Sequence, residues 1–378
     1  MKQVDYSLMR ENSKFVWYVN MSLYTLAEIA DVTLHDLFTD HKAGIKLYSE
    51  DNYRKFFDVY DGCGKMRRIT PATPPVSYGH LNGLGVPLVF PQGNGEVNYE
   101  RSGYSIDEWI KILDRPRDYA KEGLAPFYID YLAKMKEAFP GKQIGFGYGY
   151  EGALTTAYTM RDMQLYYDLY DDPEKLKILL AKVSRSVTDF KKFQCEVLGT
   201  DYRNTSYMCD DCAALVPPDM WEEFVVPFMD MIYSDVNADR RSLHCEGLTN
   251  KHLGYLETLG ITWYDPSVSP KLDPVQVTDS CKVPYIWRMC EIYHRLMDRA
   301  LAKDFVYAAV RDGANGVFTT AAGLENQSVE IIKGFTEACE TVDKMFGEGY
   351  KREDIGTLVS QKGNDVFWEK WRKQYIGG

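Results

Sequence analysis

Short apolar runs bounded by polar, Gly or Pro residues alternate along most of the chain with longer segments of helical spacing. Eight runs stand out: Phe56 to Tyr60, Val86 to Phe90, Ile144 to Tyr148, Thr205 to Cys209, Ser242 to Cys245, Ile261 to Tyr264, Pro284 to Met289 and Gly316 to Thr320. Strands interleaved with helices in this number predict an α/β chain folded as a (β/α)8 TIM barrel. Ahead of them, Leu23, Leu26, Ile29 and Ala30 fall at helical spacing, as does the segment Leu34 to Tyr48. Residues 1–50 therefore read as an N-terminal helical cap, 51–347 as the barrel and 348–378 as a C-terminal tail. In that tail, Phe367, Trp368 and Trp371 form an apolar face expected to pack on the barrel.

Several helix boundaries are legible. Asp172-Pro173 supplies an N-cap and a proline at the first helical position, and Leu176, Leu179, Leu180 and Val183 mark the face behind it. Pro217-Pro218-Asp219 opens a helix that Pro227 should kink.

Composition narrows the function classes. Hydrophobic residues at 45% and charged residues at 26% allow a large buried core. With 44 basic against 55 acidic residues the net charge is −11, which argues against a nucleic-acid or anionic-membrane surface. The stretch Ile69 to Gly95 holds no Asp, Glu, Lys or Arg and is long enough to span a bilayer, but its five prolines and five glycines mark it as loop. The start has no apolar secretion signal, so a cytoplasmic location is the expectation. Eight cysteines are too few to scaffold a chain of this size, and read as thiols or metal ligands. With 28 Tyr, 17 Phe and 7 Trp, flat amphipathic side chains are abundant.

Barrel chemistry gathers at the C-terminal strand ends, so the residues closing each run carry the most information. Gln92 and Asn94 close the second, Tyr150-Glu151 the third, Cys209-Asp210-Asp211-Cys212 the fourth, His244-Cys245-Glu246 the fifth, Asp265 the sixth and Cys290-Glu291 the seventh; Glu325-Asn326 follow the eighth. In an extended segment residues two apart share a face, so His244 and Glu246 point together and suit a metal. Cys290 would complete a three-ligand site with an open position, as catalytic zinc requires. The alternative is a hydrogen-bonded His244 with Glu246 as its partner. Asp210 and Asp211 are candidates for acid/base work, for orienting the imidazole or for capping a helix; Glu151 either touches substrate or bonds a helix N-terminus. Gln92, Asn94, Tyr150 and Tyr264 are the candidate substrate contacts. The segment IGFGYGYEG lacks the G-x-G-x-x-G order, and C-x-x-C at the end of a strand is not a redox motif.

Five segments together resemble the uroporphyrinogen decarboxylase superfamily, which includes cobalamin-dependent methyltransferases: GYGYEGALTTAYTMRD, LYDDPEKLKILL, MCDDCAALVPPDMWEEFVVPFM, LHCEGLTNKHLGYLETLGITWYD and NGVFTTAAGLENQSVE. The family fold is the same barrel. No arginine-rich RQAGRY-type motif precedes Gly95, which disfavours haem synthesis and points to the methyltransferase branch. That branch binds zinc through His-x-Cys and a later Cys. Here Glu246 stands where the first Cys would fall, and Thr319 to Ala322 supply no thiol.

The resemblance thus implies a methyltransferase that demethylates a small O-methyl substrate, such as a methoxy-aromatic one, and passes the methyl group to a corrinoid. Zinc on a harder ligand set would act as Lewis acid. No D-x-H-x-x-G corrinoid signature occurs, so the cobalamin must arrive on a partner protein. The alternatives are methyl transfer from methylcobalamin to a thiol, a cofactor-free decarboxylase using Asp210 or Asp211, or a non-catalytic binding protein.

Overall fold

The computed structural model describes residues 4–61, 63, 66–67, 69–204, 207–236 and 240–376. The chain divides into two compact units. The first comprises Met1–Lys2, Ala30–Ser49 and Thr70–His244, and the second Gln3–Ile29, Glu50–Ile69 and Cys245–Gly378. The strands are β1 (Val16–Met21), β2 (Met66–Arg67), β3 (Leu88–Val89), β4 (Asn98–Tyr99), β5 (Tyr207–Cys209), β6 (Ser242–His244), β7 (Trp263–Asp265), β8 (Ile286–Met289) and β9 (Gly316–Ala321).

In the first unit, extended segments lie parallel, with helices between them in sequence. Ala72 pairs with Gly145 and Val76 with Tyr148. β5 pairs with β6 in the register Tyr207↔Ser242, Met208↔Leu243, Cys209↔His244. The Gly152 N–H donates to the Cys209 carbonyl at 2.7 Å, tying the end of the 145–152 segment to β5. The glycines of IGFGYGYEG have a packing reason: a Cβ on Gly147 would lie 2.4 Å from the Pro74 carbonyl oxygen. The helix Pro173–Leu198 starts where Asp172 accepts from the Lys175 N–H and ends at Gly199, whose φ of 69° suits a residue without a Cβ. Its buried face runs Leu176, Leu179, Leu180, Val183, Val187, Phe190. Around Pro227 the chain forms two helices, Trp221–Phe224 and Val226–Asp235, rather than one kinked helix. β3 and β4 form a short antiparallel ribbon.

The second unit holds an all-parallel sheet in the order β2-β1-β9-β8, extended by a parallel bridge between Tyr264 and Tyr285. Two sequence expectations are corrected here. β1 is a strand inside the segment read as a helical cap; VWYVNM is too short a run for periodicity to separate a strand from a helix. Phe56 to Tyr60, expected as the first strand, lies mostly in the helix Glu50–Val59, where Phe56 stacks on Tyr60 one turn later at 4.9 Å. The first two residues of the expected fourth strand, Thr205 and Ser206, lie outside the described residues. The C-terminal segment packs within the same unit: Phe367 and Trp368 meet Phe305 edge-on, and Trp371 meets Tyr293. Among the described residues no helix is long and apolar enough to cross a membrane.

Candidate active site

In the first unit, Glu151, Asp210, Asp211 and His244 come together at the C-terminal ends of the 145–152 segment, β5 and β6. The parallel register puts Cys209 beside His244, and the Asp210 N–H donates to the His244 carbonyl at 3.0 Å, so the residues that follow each strand converge. Asp210 is fully buried. Its carboxylate accepts from the backbone N–H groups of Leu154 at 3.1 Å and Thr155 at 2.7 Å, and from the Thr155 hydroxyl at 2.9 Å. It therefore caps the helix Ala153–Arg161, the helix whose N-terminus Glu151 was a candidate to bond. Gly152 makes room for this: a Cβ there would lie 2.5 Å from the Asp210 carboxylate. Asp211 points instead to the imidazole, with Oδ1 3.8 Å from His244 Nε2.

Glu151 is left for chemistry. Burial, then the negative charges of Asp210 and Asp211, push its carboxyl up to about 8, against the pull of a Ser77 hydrogen bond and His244. Burial raises Asp210 as well, to about 6, although three donors oppose the shift. At neutral pH Glu151 thus holds a proton beside two carboxylates and an imidazole. That is an acid poised to donate.

Tyrosines surround these groups. Tyr78, next to Ser77, meets Tyr99 of β4 with ring centres 4.7 Å apart, and Tyr158 meets Tyr166 at 5.8 Å. The Tyr166 hydroxyl donates to the Cys212 carbonyl at 3.4 Å. Tyr150 packs under the buried Lys191, whose Nζ lies 5.6 Å from the ring centre and whose burial lowers it to about 8. The Cys212 thiol is driven up to about 12, mainly by burial. Ser77, Tyr78, Thr155, Tyr158, Tyr166 and Lys191 were not singled out in the sequence; only the high tyrosine count hinted at the aromatic wall.

The remaining sequence candidates fall elsewhere. Asn94 Oδ1 accepts from the Leu34 N–H at 3.1 Å and the Gln92 amide meets His35 at 3.2 Å, so both hold the helix Leu34–Thr39. In the second unit, Tyr264 is fully buried and its hydroxyl donates to the Cys245 carbonyl at 3.0 Å. Cys290 is buried, with its thiol raised to about 11 chiefly by desolvation and 3.5 Å from Glu291 Oε2. Glu291 pairs with Arg288 at 3.0 Å. Glu246 also lies in this unit, whereas His244 closes the first. Among the described residues, no three His, Cys, Asp or Glu side chains gather into a group able to hold a metal ion.

Comparison with known proteins adds three findings. The sequence model for uroporphyrinogen decarboxylase (URO-D) matches residues 78–280. No curated protein sequence matches the chain. The fold is similar to that of a solved methyltransferase from Methanosarcina mazei, with a TM-score of 0.63 over 89% of this chain and 97% of that one, at 14% identity.

Proposed function

The chain belongs to the uroporphyrinogen decarboxylase family, and from that premise we propose that it is a methyltransferase that demethylates a small O-methyl substrate and delivers the methyl group to a corrinoid on a partner protein. The meeting of Glu151 with Asp210, Asp211 and His244 at adjacent strand ends, where burial and then the two carboxylates raise the Glu151 carboxyl to about 8, carries this reading. An ether oxygen leaves poorly as an alkoxide or phenoxide, and a proton supplied as the C–O bond breaks removes that penalty. The reduced corrinoid supplies the nucleophile. Glu151 gives its proton to the departing oxygen, the product leaves as an alcohol or phenol, and the Glu151 carboxylate is reprotonated from solvent. Asp211 orients the His244 imidazole, and Asp210 fixes the loop that carries Asp211. The tyrosines around Glu151 suit a flat methoxy-aromatic ring. The family match and the likeness in fold to a solved methyltransferase together support the methyltransferase class.

The spacing of the strand ends suggests zinc on His244, Glu246 and Cys290, which the family's methyltransferase branch would use as a Lewis acid on the leaving oxygen. The described residues gather no such group, so no step above is derived through zinc. Metal analysis of purified wild type and His244→Ala tests the assignment directly.

The activity is tested by incubating the chain and a reduced corrinoid protein with methoxy-aromatics, methylamines and methyl thioethers, reading methyl-cobalt by absorbance. Methoxy-aromatics should react and Glu151→Gln should not support the reaction. Methyl transfer from methyl-cobalt to a thiol, with no donor methylating the corrinoid, would reverse the direction. Carbon dioxide release from a carboxylated substrate without corrinoid would make Glu151 the proton donor of a decarboxylase.

A further inference from the structure

The helix Gln164–Asp171 is apolar on both sides. Its inner face buries Leu165 and Leu169, and Asp168 on that face is held by Arg161. Its outer face should be polar by the ordinary amphipathic pattern. Instead Met163, Tyr167 and Tyr170, at i, i+4 and i+7, stand in solvent with relative exposures of 55%, 60% and 69%. Among the described residues the hydroxyls of Tyr167 and Tyr170 have no hydrogen-bond partner. Leu215, 57% exposed, closes the adjoining turn Asp211–Leu215, which the helix reaches through the Tyr166 hydroxyl on the Cys212 carbonyl. Asp211 of the candidate site opens the same turn that Leu215 closes.

We propose that the Met163–Tyr167–Tyr170 face, with Leu215, is the docking surface for the corrinoid-carrying protein; the identity of that occupant rests on the methyltransferase reading above. Exposed tyrosines on a rigid support are the residues that dominate protein interfaces. The support is rigid because Arg161 grips Asp168 through two hydrogen bonds of 2.8 and 3.0 Å. Charge selects the partner. The helix carries no Lys or Arg, its exposed Asp171 and the exposed Asp211 flank the patch, and Arg101 near it is bound to Asp162 at 2.6 Å. The surface therefore fits an apolar centre rimmed by basic residues. A second copy of this acidic chain would set like charges against one another, and an anionic bilayer would be repelled. Position completes the argument, because a methyl acceptor must be presented next to the site, and the helix bonds through Tyr166 to the turn that begins at Asp211.

The test is the variant Tyr167→Glu/Tyr170→Glu, with folding checked by circular dichroism and thermal unfolding. Two acceptors are compared: free cob(I)alamin, which needs no docking, and the source organism's own D-x-H-x-x-G corrinoid proteins, reconstituted and reduced. Transfer to free cob(I)alamin should stay within about twofold of wild type, while kcat/KM with the protein-bound acceptor falls at least tenfold. Wild-type transfer to the protein acceptor should weaken with added salt. Equal transfer to the protein acceptor by variant and wild type would overturn the docking assignment while leaving the activity intact. Wild type inert toward both acceptors would overturn the activity reading and the named occupant with it. A concentration-dependent dimer in sedimentation, lost in the variant, would give the face to a second copy.

Discussion

The Asp210 carboxylate takes both the backbone N–H and the hydroxyl of Thr155, at 2.7 and 2.9 Å. The same Thr155 hydroxyl accepts from the Cys212 N–H at 3.0 Å. One buried acid thereby joins the start of the helix Ala153–Arg161 to the turn that carries Asp211. Charge at a helix N-terminus is favourable, and with every nearby donor used the buried carboxylate is tolerated.

Asp210→Ala should accordingly destabilise the fold by about 2 kcal/mol or more, since it strips a cap and leaves buried N–H groups unsatisfied. Urea unfolding measures this. A loss below about 0.5 kcal/mol, the size of an ordinary surface change, would show that the cap contributes little.

Glu151 makes a prediction about pH with a definite sign. Its carboxyl sits near 8 in the folded chain against 4.5 unperturbed. Between those values the unfolded chain is ionised while the folded chain keeps its proton, so this group makes the fold less stable as pH rises from about 4.5 to about 8, with no further slope above. Glu151→Gln mimics the protonated form and should flatten that part of the profile, raising the melting temperature relative to wild type at pH 8. The same variant should lose activity by roughly a hundredfold or more, and wild-type activity should fall above pH 8 as the donor ionises. A Gln variant with unchanged turnover would remove Glu151 from the chemistry.

How much of this was legible in the sequence depends on the kind of signal. Asp172-Pro173 and the apolar spacing behind it located the helix Pro173–Leu198, because capping and periodicity are local. The polar residues closing successive runs pointed to Glu151, Asp210, Asp211 and His244, since parallel strands bring their ends together. Their division of labour was not legible. That Asp210 caps a helix more than fifty residues earlier, freeing Glu151, is a tertiary fact with no trace in spacing. β1 was missed and Phe56 to Tyr60 misassigned for one reason: a run of five or six residues is too short to show a period. Ser77 and Thr155 are ordinary loop and helix residues until the fold sets them against a carboxyl.

The Arg161–Asp168 pair is buried on both sides, with side chains 10% and 8% exposed. Removing one partner leaves a buried charge alone, so Arg161→Met should cost about 3–5 kcal/mol, far more than an exposed pair. Arg161→Met/Asp168→Leu should recover a large share of that loss, because two apolar groups replace the pair. Denaturant midpoints of the two variants decide. Equal destabilisation would mean that the ion pair itself, rather than the stranded carboxylate, sets the cost.

Gly152 supplies the sharpest test of the arrangement around Asp210. Its φ of −66° is open to any residue, so a substitution there is penalised by space and not by backbone strain. An added Cβ would sit 2.5 Å from the Asp210 carboxylate, which is already fixed by Leu154 and Thr155 and has nowhere to move. Gly152→Ala should therefore destabilise by about 1–3 kcal/mol, the usual range for overpacking. The Asp210 Cβ would also lie 2.6 Å from that methyl group, so Asp210→Gly, which removes the whole side chain, is the change that opens the space and should make the penalty largely vanish. The two substitutions combined should then cost less than the sum of the single losses, by about 1 kcal/mol or more, as residues in contact do. Strict additivity in a double-mutant cycle would show that Gly152 is required for another reason, and that the cap is not what the missing side chain accommodates.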